Sequence, residues 1–393
     1  MIGKITPSEI AEIADKAMLS FQEMEHALNS PNDTKLPPEF GTQLLSSICG
    51  IDQAALRYAL KSRPDLPQGT VGANNVKWFD VQQATLLSRN LRGDKMRPAG
   101  RDTFVLVVGH FKGGVGKTTT SATLAHGLSL KGHSVMVIDA DPQGSVSQLF
   151  GKTAASFDES NTLAPFFSGT EETLDYAIAP SYWPGIDVIS GGAGLFMAEV
   201  DLPMRQMSLG SEFKFYAELD RGIKALNGRY DFIIIDTPPT MSYLTLNCYV
   251  AATGLLMPVP PSGLDFASSV QFWGLLSWLL NSIHGNDDAV EWRSVGILPS
   301  KVLRGDANQS AVRNQTQVLG MMQSAYGKYL LPFSLPETKM ADRAGTMLGS
   351  IYELMQFKDV DRRSVNSALE AYGKVVNWVE DQAVMAWGEQ DGH

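Results

Sequence analysis

Between residues 7 and 29, Ile10, Ile13, Ala14, Ala17, Met18, Phe21, Met24 and Leu28 recur at a spacing of three to four, the period of one helical face. Ser8 is placed to cap this helix, and Pro31, Pro37 and Pro38 break the chain after it. An apolar stripe isolated in this way needs a cover, either a second copy or the body of its own chain. From Phe40 to Leu91 the pattern shortens. Thr42 to Ile48 reads as a helix, Cys49-Gly50-Ile51 as a tight turn, and Asp52 as the cap of a second helix reaching Lys61. That is the layout of a helix-turn-helix. Gly69 to Asn75, the short run Lys77-Trp78-Phe79 and a helix from Asp80 would suit a wing. A helical module without a DNA role is the alternative. Arg92 to Arg101, with Pro98 and Gly100, forms a basic linker.

After Arg101, short apolar runs alternate with helical stretches. The runs are Phe104 to Val108, Ser134 to Ile138, Ile186 to Ile189, Phe232 to Ile235, Gly254 to Val259 and Val295 to Leu298. The stretches between them include Thr118 to Leu130, Glu212 to Leu226 and Phe266 to Ile283. This grammar predicts an α/β fold with a mostly parallel sheet covered by helices on both faces. Three segments follow: residues 1–39 as an N-terminal helix, 40–101 as a winged helix-turn-helix-like module with its linker, and 102–393 as the main domain. On this division residues 1–101 are separable from the rest.

Composition narrows the class. Of 393 residues, 44% are hydrophobic and 19% charged, which fits a water-soluble protein, and no apolar run is long enough for a membrane span. Cys49 and Cys248 stand alone, so neither a disulfide framework nor a cysteine metal site is expected, and a reduced cytoplasm is the plain setting. The tryptophans, Trp273, Trp278, Trp292 and Trp387 among them, read as packing residues. The net charge of −10 opposes nucleic-acid binding, but it is uneven. Residues 1–39 carry 3 Lys/Arg against 7 Asp/Glu, whereas residues 40–101 carry 9 against 4. Within that basic segment Gln53, Arg57 and Lys61 lie on the second helix, with side chains suited to base edges.

The first strand of the main domain runs into His110-Phe111-Lys112-Gly113-Gly114-Val115-Gly116-Lys117-Thr118-Thr119. Glycines let backbone N–H groups wrap a phosphate chain, and the helix that follows offers its positive end. Lys117 is placed for the β- and γ-phosphates and Thr118 for Mg²⁺, which makes this a P-loop NTPase. Phe111 stands where the common pattern has glycine, and Lys112 adds a second lysine. Asp139, Asp141 and Gln143 follow one strand and Asp236 ends another. Asp139 and Asp236, at strand ends facing the ligand crevice, are candidates to hold Mg²⁺ through its waters.

The Lys112–Thr119 and Asp139–Gln143 motifs together resemble the ParA family of partition ATPases, over roughly residues 103 to 350. The N-terminal module, and the stretch from Pro258 to Asp265-Phe266, are similar to the long plasmid forms. The resemblance implies that Lys112 crosses a homodimer interface to the partner's phosphates and that Asp141 positions the attacking water. It also implies ATP hydrolysis, non-specific nucleoid DNA binding, a ParB-like centromere-binding partner, and repression of its own operator. By the same likeness Arg304, Arg313, Lys339 and Arg343 would form a basic DNA-facing strip. Cluster cysteines and a basic membrane-targeting tail, marks of related iron proteins and of MinD, are missing from the sequence. The missing basic tail implies that no membrane is involved. A Gly191–Gly194 cluster leads into what is a nucleotide-responsive segment in the family. Two rivals stand: an ATP-responsive regulator with negligible turnover, and a positioning ATPase for a non-DNA cargo.

Overall fold

The computed structural model describes residues 6–29, 35–72, 75–152, 159–226, 228–284, 290–303, 308–337, 349–354 and 361–389. Pro7–Asn29 forms the long helix α1. Its cap is Thr6 rather than Ser8: the Thr6 N–H and hydroxyl both donate to Glu9, and the Glu9 N–H donates back to Thr6 Oγ1. Ile10, Ile13 and Met18 remain 59%, 62% and 45% exposed. The stripe is therefore not covered by the described body of its own chain.

Phe40–Gly41 (β1), Thr42–Cys49 (α2), Gln53–Ser62 (α3), Thr70–Val71 (β2), Lys77–Phe79 (β3) and Val81–Leu91 (α4) come next. Gly50 ends α2 at φ 64, a conformation that only glycine adopts cheaply, and its N–H returns to the last carbonyls of the helix. Asp52 then caps α3 by accepting from the Ala54 N–H at 2.8 Å. β3 pairs antiparallel with both β1 and β2. Helix, turn, helix and a hairpin thus follow β1, a strand that the sequence pattern did not announce.

The main sheet has seven strands: Phe104–Val108 (β4), Val135–Asp139 (β5), Ala179–Pro180 (β6), Ile186–Ile189 (β7), Phe232–Asp236 (β8), Gly254–Val259 (β9) and Ser294–Pro299 (β10). Its spatial order is β10-β9-β4-β8-β5-β7-β6, parallel throughout except for β6. The helices are Lys117–Leu130 (α5), Ser145–Leu149 (α6), Ala164–Ser168 (α7), Ala198–Leu209 (α8), Glu218–Ala225 (α9), Tyr243–Val250 (α10), Gly263–His284 (α11), Gln309–Tyr326 (α12) and Arg362–Glu389 (α13). β4 is buried at every position; Leu106 and Val108 serve one core, Val105 and Val107 the other. The two cores are the two faces of the sheet.

Two expectations are corrected and one helix is added. The helix anticipated over Glu212–Leu226 begins only at Glu218, because Asn247 takes the Leu219 N–H and ties Phe215 O into the turn before it. Helix α8 was masked in the sequence by Pro203 inside it, normally a breaker. Trp278 is 63% exposed, unlike the buried Trp387.

Residues 40–101 are also not a detachable module. Phe40, Leu45, Leu56, Leu60, Phe79 and Leu87 share one continuous core with Leu124 and Leu128 of α5 and Val375 and Val376 of α13. Removing residues 1–101 would strip apolar cover from α5, the helix that begins at the P-loop.

Ion pairs reinforce the junction. Arg92 Nη2 and Lys131 Nζ lie 2.7 and 2.6 Å from Glu380 Oε2, and His133 Nε2 lies 2.8 Å from Oε1. Arg97 pairs with Asp231 and Lys95 with Asp381. Much of the positive charge of the linker is thus spent on acids of the main domain. Burial acts against the Glu380 carboxylate, yet its bonds to His133 and Arg92 and the Lys131 charge hold it well below the usual range; burial depresses His133. Both shifts mean that the unfolded chain binds more protons. Their stabilising contribution is complete above the ordinary histidine range and declines as pH falls through it, then through the ordinary glutamate range. Glu380→Gln leaves buried cations unmatched and should lower unfolding free energy by about 3–5 kcal/mol, read from denaturant melts at neutral pH.

Candidate nucleotide-binding site

β4 is followed by Gly109, where any side chain would collide with the buried Tyr249. His110 is fully buried, and its Nδ1 accepts the Lys112 N–H at 2.9 Å. An imidazole that accepts there is neutral; burial, and then the charge of Lys117, lower its pKa to about 4. Phe111 packs edge-on against Phe272 of α11, ring centroids 4.8 Å apart. The departure from glycine at this position therefore docks the start of the loop onto a neighbouring helix.

Gly114 and Gly116 turn the loop at φ 74 and 98, both in the left-handed region. Gly113 and Gly114 are exposed, while Val115 is buried and its carbonyl accepts from Ser300 Oγ at 2.9 Å. Gly116 then precedes α5, whose first turn carries Lys117, Thr118 and Thr119. Lys117 is 7% exposed and its ammonium donates to Lys112 O at 3.2 Å, folded across the loop it serves. Burial lowers its pKa, opposed by Asp236 and Asp141. The result is a concave run of N–H groups at a helix N-terminus with a lysine inside it, an arrangement suited to a polyphosphate.

Thr118 Oγ1 and Ser121 Oγ each donate to Asp236 at 2.8 Å, to Oδ2 and Oδ1 respectively. Burial pushes Asp236 up to about 6 against those hydrogen bonds. Thr118 and Asp236 suit Mg²⁺, which takes one hydroxyl or carboxylate, keeps several waters and shares phosphate oxygens. Bound there, it would neutralise phosphate charge. Among the described residues no group of three or more His, Cys, Asp or Glu is placed to hold a metal ion.

Asp139 is employed differently. Its Oδ2 accepts from Ser147 N–H and Oγ at 2.9 and 2.6 Å, and Oδ1 accepts from the Asp141 N–H at 3.1 Å. Burial, then the neighbouring Asp236, pushes it up to about 7. These bonds shape the turn that presents Asp141. A Cβ at Gly191 would lie 2.7 Å from Asp139 Cγ, so the exit of β7 abuts the same turn. Asp141 itself is half-buried, with Oδ1 accepting the Gln143 N–H at 2.9 Å.

The DNA candidates are scattered. Arg57 and Lys61 are exposed on α3, and Arg57 Nη2 donates to the half-buried Gln53 at 3.3 Å. Arg313 is exposed on α12; Arg304, Lys339 and Arg343 lie outside the described residues. Sequence reasoning passed over His110, Ser121, Ser147 and Ser300. Only Ser121 carried a local signal, one helical turn after Lys117. His110 lies within the loop itself, and Ser147 and Ser300 act from other elements.

A mostly parallel sheet with a P-loop after an inner strand, a Thr–Asp pair beside that loop and an acidic turn after the next strand in the chain defines a P-loop NTPase. The family model described as an AAA domain matches residues 103–278. The chain is 29% identical to a putative replication protein A of Rhizobium rhizogenes, over 94% of this chain and 93% of that one. It is 28% identical to Protein SopA of Escherichia coli K12, over 91% of each. A solved structure titled Partition Protein superposes with a TM-score of 0.56 at 22% identity, covering 89% of this chain and 98% of that one. The chain is thus similar over nearly its whole length to proteins of the ParA group, and over a shorter stretch it is 34% identical to the chromosome partitioning protein ParA of Caulobacter vibrioides.

Proposed function

We propose that this chain is an ATP-hydrolysing partition protein that segregates a low-copy plasmid or secondary chromosome, closing as an ATP-bound homodimer. The observation that carries the reading is a phosphate loop with two lysines, buried Lys117 and the more exposed Lys112, next to the half-buried Asp141. Phosphoryl transfer needs charge neutralisation and a placed water more than covalent chemistry. Lys117 and Mg²⁺ on Thr118 and Asp236 would supply charge in cis, Lys112 charge from the partner, and Asp141 the placement. A ParB-like protein bound at a centromere-like site would stimulate turnover, and the dimer would hold nucleoid DNA through residues such as Arg313. The test is phosphate release with ATP alone, with DNA, and with DNA plus the product of an adjacent small DNA-binding gene. No turnover under any condition would favour a nucleotide-sensing regulator.

We further propose that α2, α3 and the β2–β3 hairpin form a winged helix-turn-helix that represses the protein's own operator. Arg57 and Lys61 on the exposed face of α3, behind a capped tight turn, support this. Because the segment shares its core with α5, point variants test it better than truncation. Arg57→Ala with Lys61→Ala should weaken operator binding about a hundredfold, at 1–3 kcal/mol per specific contact, and random DNA far less. Equal losses on both DNAs in a titration would refute base reading by α3.

A further inference from the structure

Lys112 is already engaged within its own chain. Its ammonium lies 2.7 Å from Asp265 Oδ1, and the Asp265 side chain is only 11% exposed, so solvent ions screen the pair less than a surface pair. Asp265 Oδ2 accepts from Ser262 Oγ, and the Asp265 N–H donates to the same hydroxyl at 3.2 Å. The Ser262 hydroxyl thus caps the start of α11, one Asp265 carboxylate oxygen holds that hydroxyl, and the other faces the lysine. The Phe111–Phe272 contact docks the residue before Lys112 onto the same helix, so α11 holds the loop at a fixed distance from Asp265.

We infer that Asp265 is the positioning residue of Lys112, a latch in cis that must open before the lysine can serve a partner's phosphates. The inference rests on the proposed trans role of Lys112. In the open protomer the ammonium stays with the carboxylate. When two ATP-bound protomers close, each Lys112 exchanges Asp265 Oδ1 for phosphate oxygens of the other copy. The latch thus acts twice on one equilibrium: a factor of about 3 for each half-exposed pair becomes about 10 in the dimer dissociation constant. With a diphosphate, fewer anionic oxygens compete for the ammonium, and the latch stays shut. Asp265 therefore raises the threshold for closure and makes it sensitive to the third phosphate.

The test is Asp265→Asn in the full chain. Asparagine keeps an acceptor for Ser262 and removes the charge facing Lys112. Sedimentation with Mg²⁺ and a non-hydrolysable ATP analogue should show a dimer dissociation constant about tenfold lower than that of the unmodified chain. The advantage should vanish in Lys112→Ala/Asp265→Asn. Asp265→Glu, which keeps the charge, should resemble the unmodified chain. Should the asparagine variant fold poorly, Asp265→Ser answers the same question, and Ser262→Ala reports what loss of the cap alone does. An unchanged or weaker dimer in Asp265→Asn overturns the latch. Dimerisation of Lys112→Ala at the unmodified strength would instead overturn the trans role of the lysine, a separate failure.

Discussion

Lys117→Ala should lose nucleotide binding by about a hundredfold or more. Its ammonium is the one cation set inside the loop, and charge-assisted bonds to phosphate contribute about 1.5–3 kcal/mol each, with two phosphates in reach. The fold should survive. Lys117 is buried at a desolvation cost, and the hydrogen bond it gives up is the one to Lys112 O. Thr118 and Ser121 keep Asp236 satisfied without it. Titration with a fluorescent ATP analogue, beside a thermal melt of the same preparation, checks both halves. Near-normal affinity in a folded variant would remove Lys117 from the phosphate site.

Asp141→Ala should separate binding from turnover. Asp141 caps its own turn through Gln143 but bonds to neither the phosphate loop nor the Thr118–Asp236 pair among the described contacts. Nucleotide affinity should therefore hold while phosphate release falls by about a hundredfold to ten-thousandfold, the range for losing a group that places or deprotonates a nucleophile. An ATP-loaded dimer should then accumulate, visible by size measurement in ATP. Hydrolysis at the ordinary rate would leave Asp141 without a catalytic part. Asp139→Ala should behave differently, because its three accepted hydrogen bonds hold the turn itself. It is expected to disturb folding around β5 and α6 as well as turnover.

Much of the site was legible because its signals are local. A strand, a glycine loop and a helix start lie within one stretch of chain, and the φ of 74 and 98 at Gly114 and Gly116 is what those glycines are for. The strands of the main sheet were legible for the same reason, as continuous apolar runs that suit burial on both faces. Helix α8 was not, since local propensity at Pro203 opposes it and packing of Ala198 and Leu202 into the core overrides that preference.

By itself, the sequence determined the fold class, the position of the phosphate loop, the second lysine and the acidic residues at the strand ends. It also determined a capped pair of helices ahead of the main domain. Tertiary structure alone decided what those groups face. It gave Lys112 to Asp265, set Ser121 beside Thr118 on Asp236, and used Asp139 to build a turn. It also drew the basic linker into the body, pairing Arg92 with Glu380 from 288 positions away, and left the stripe on α1 uncovered. The reason is physical. Helix caps, glycine turns and apolar periodicity depend on neighbours a few residues apart, whereas the partner of a charge depends on which distant segments the core brings together.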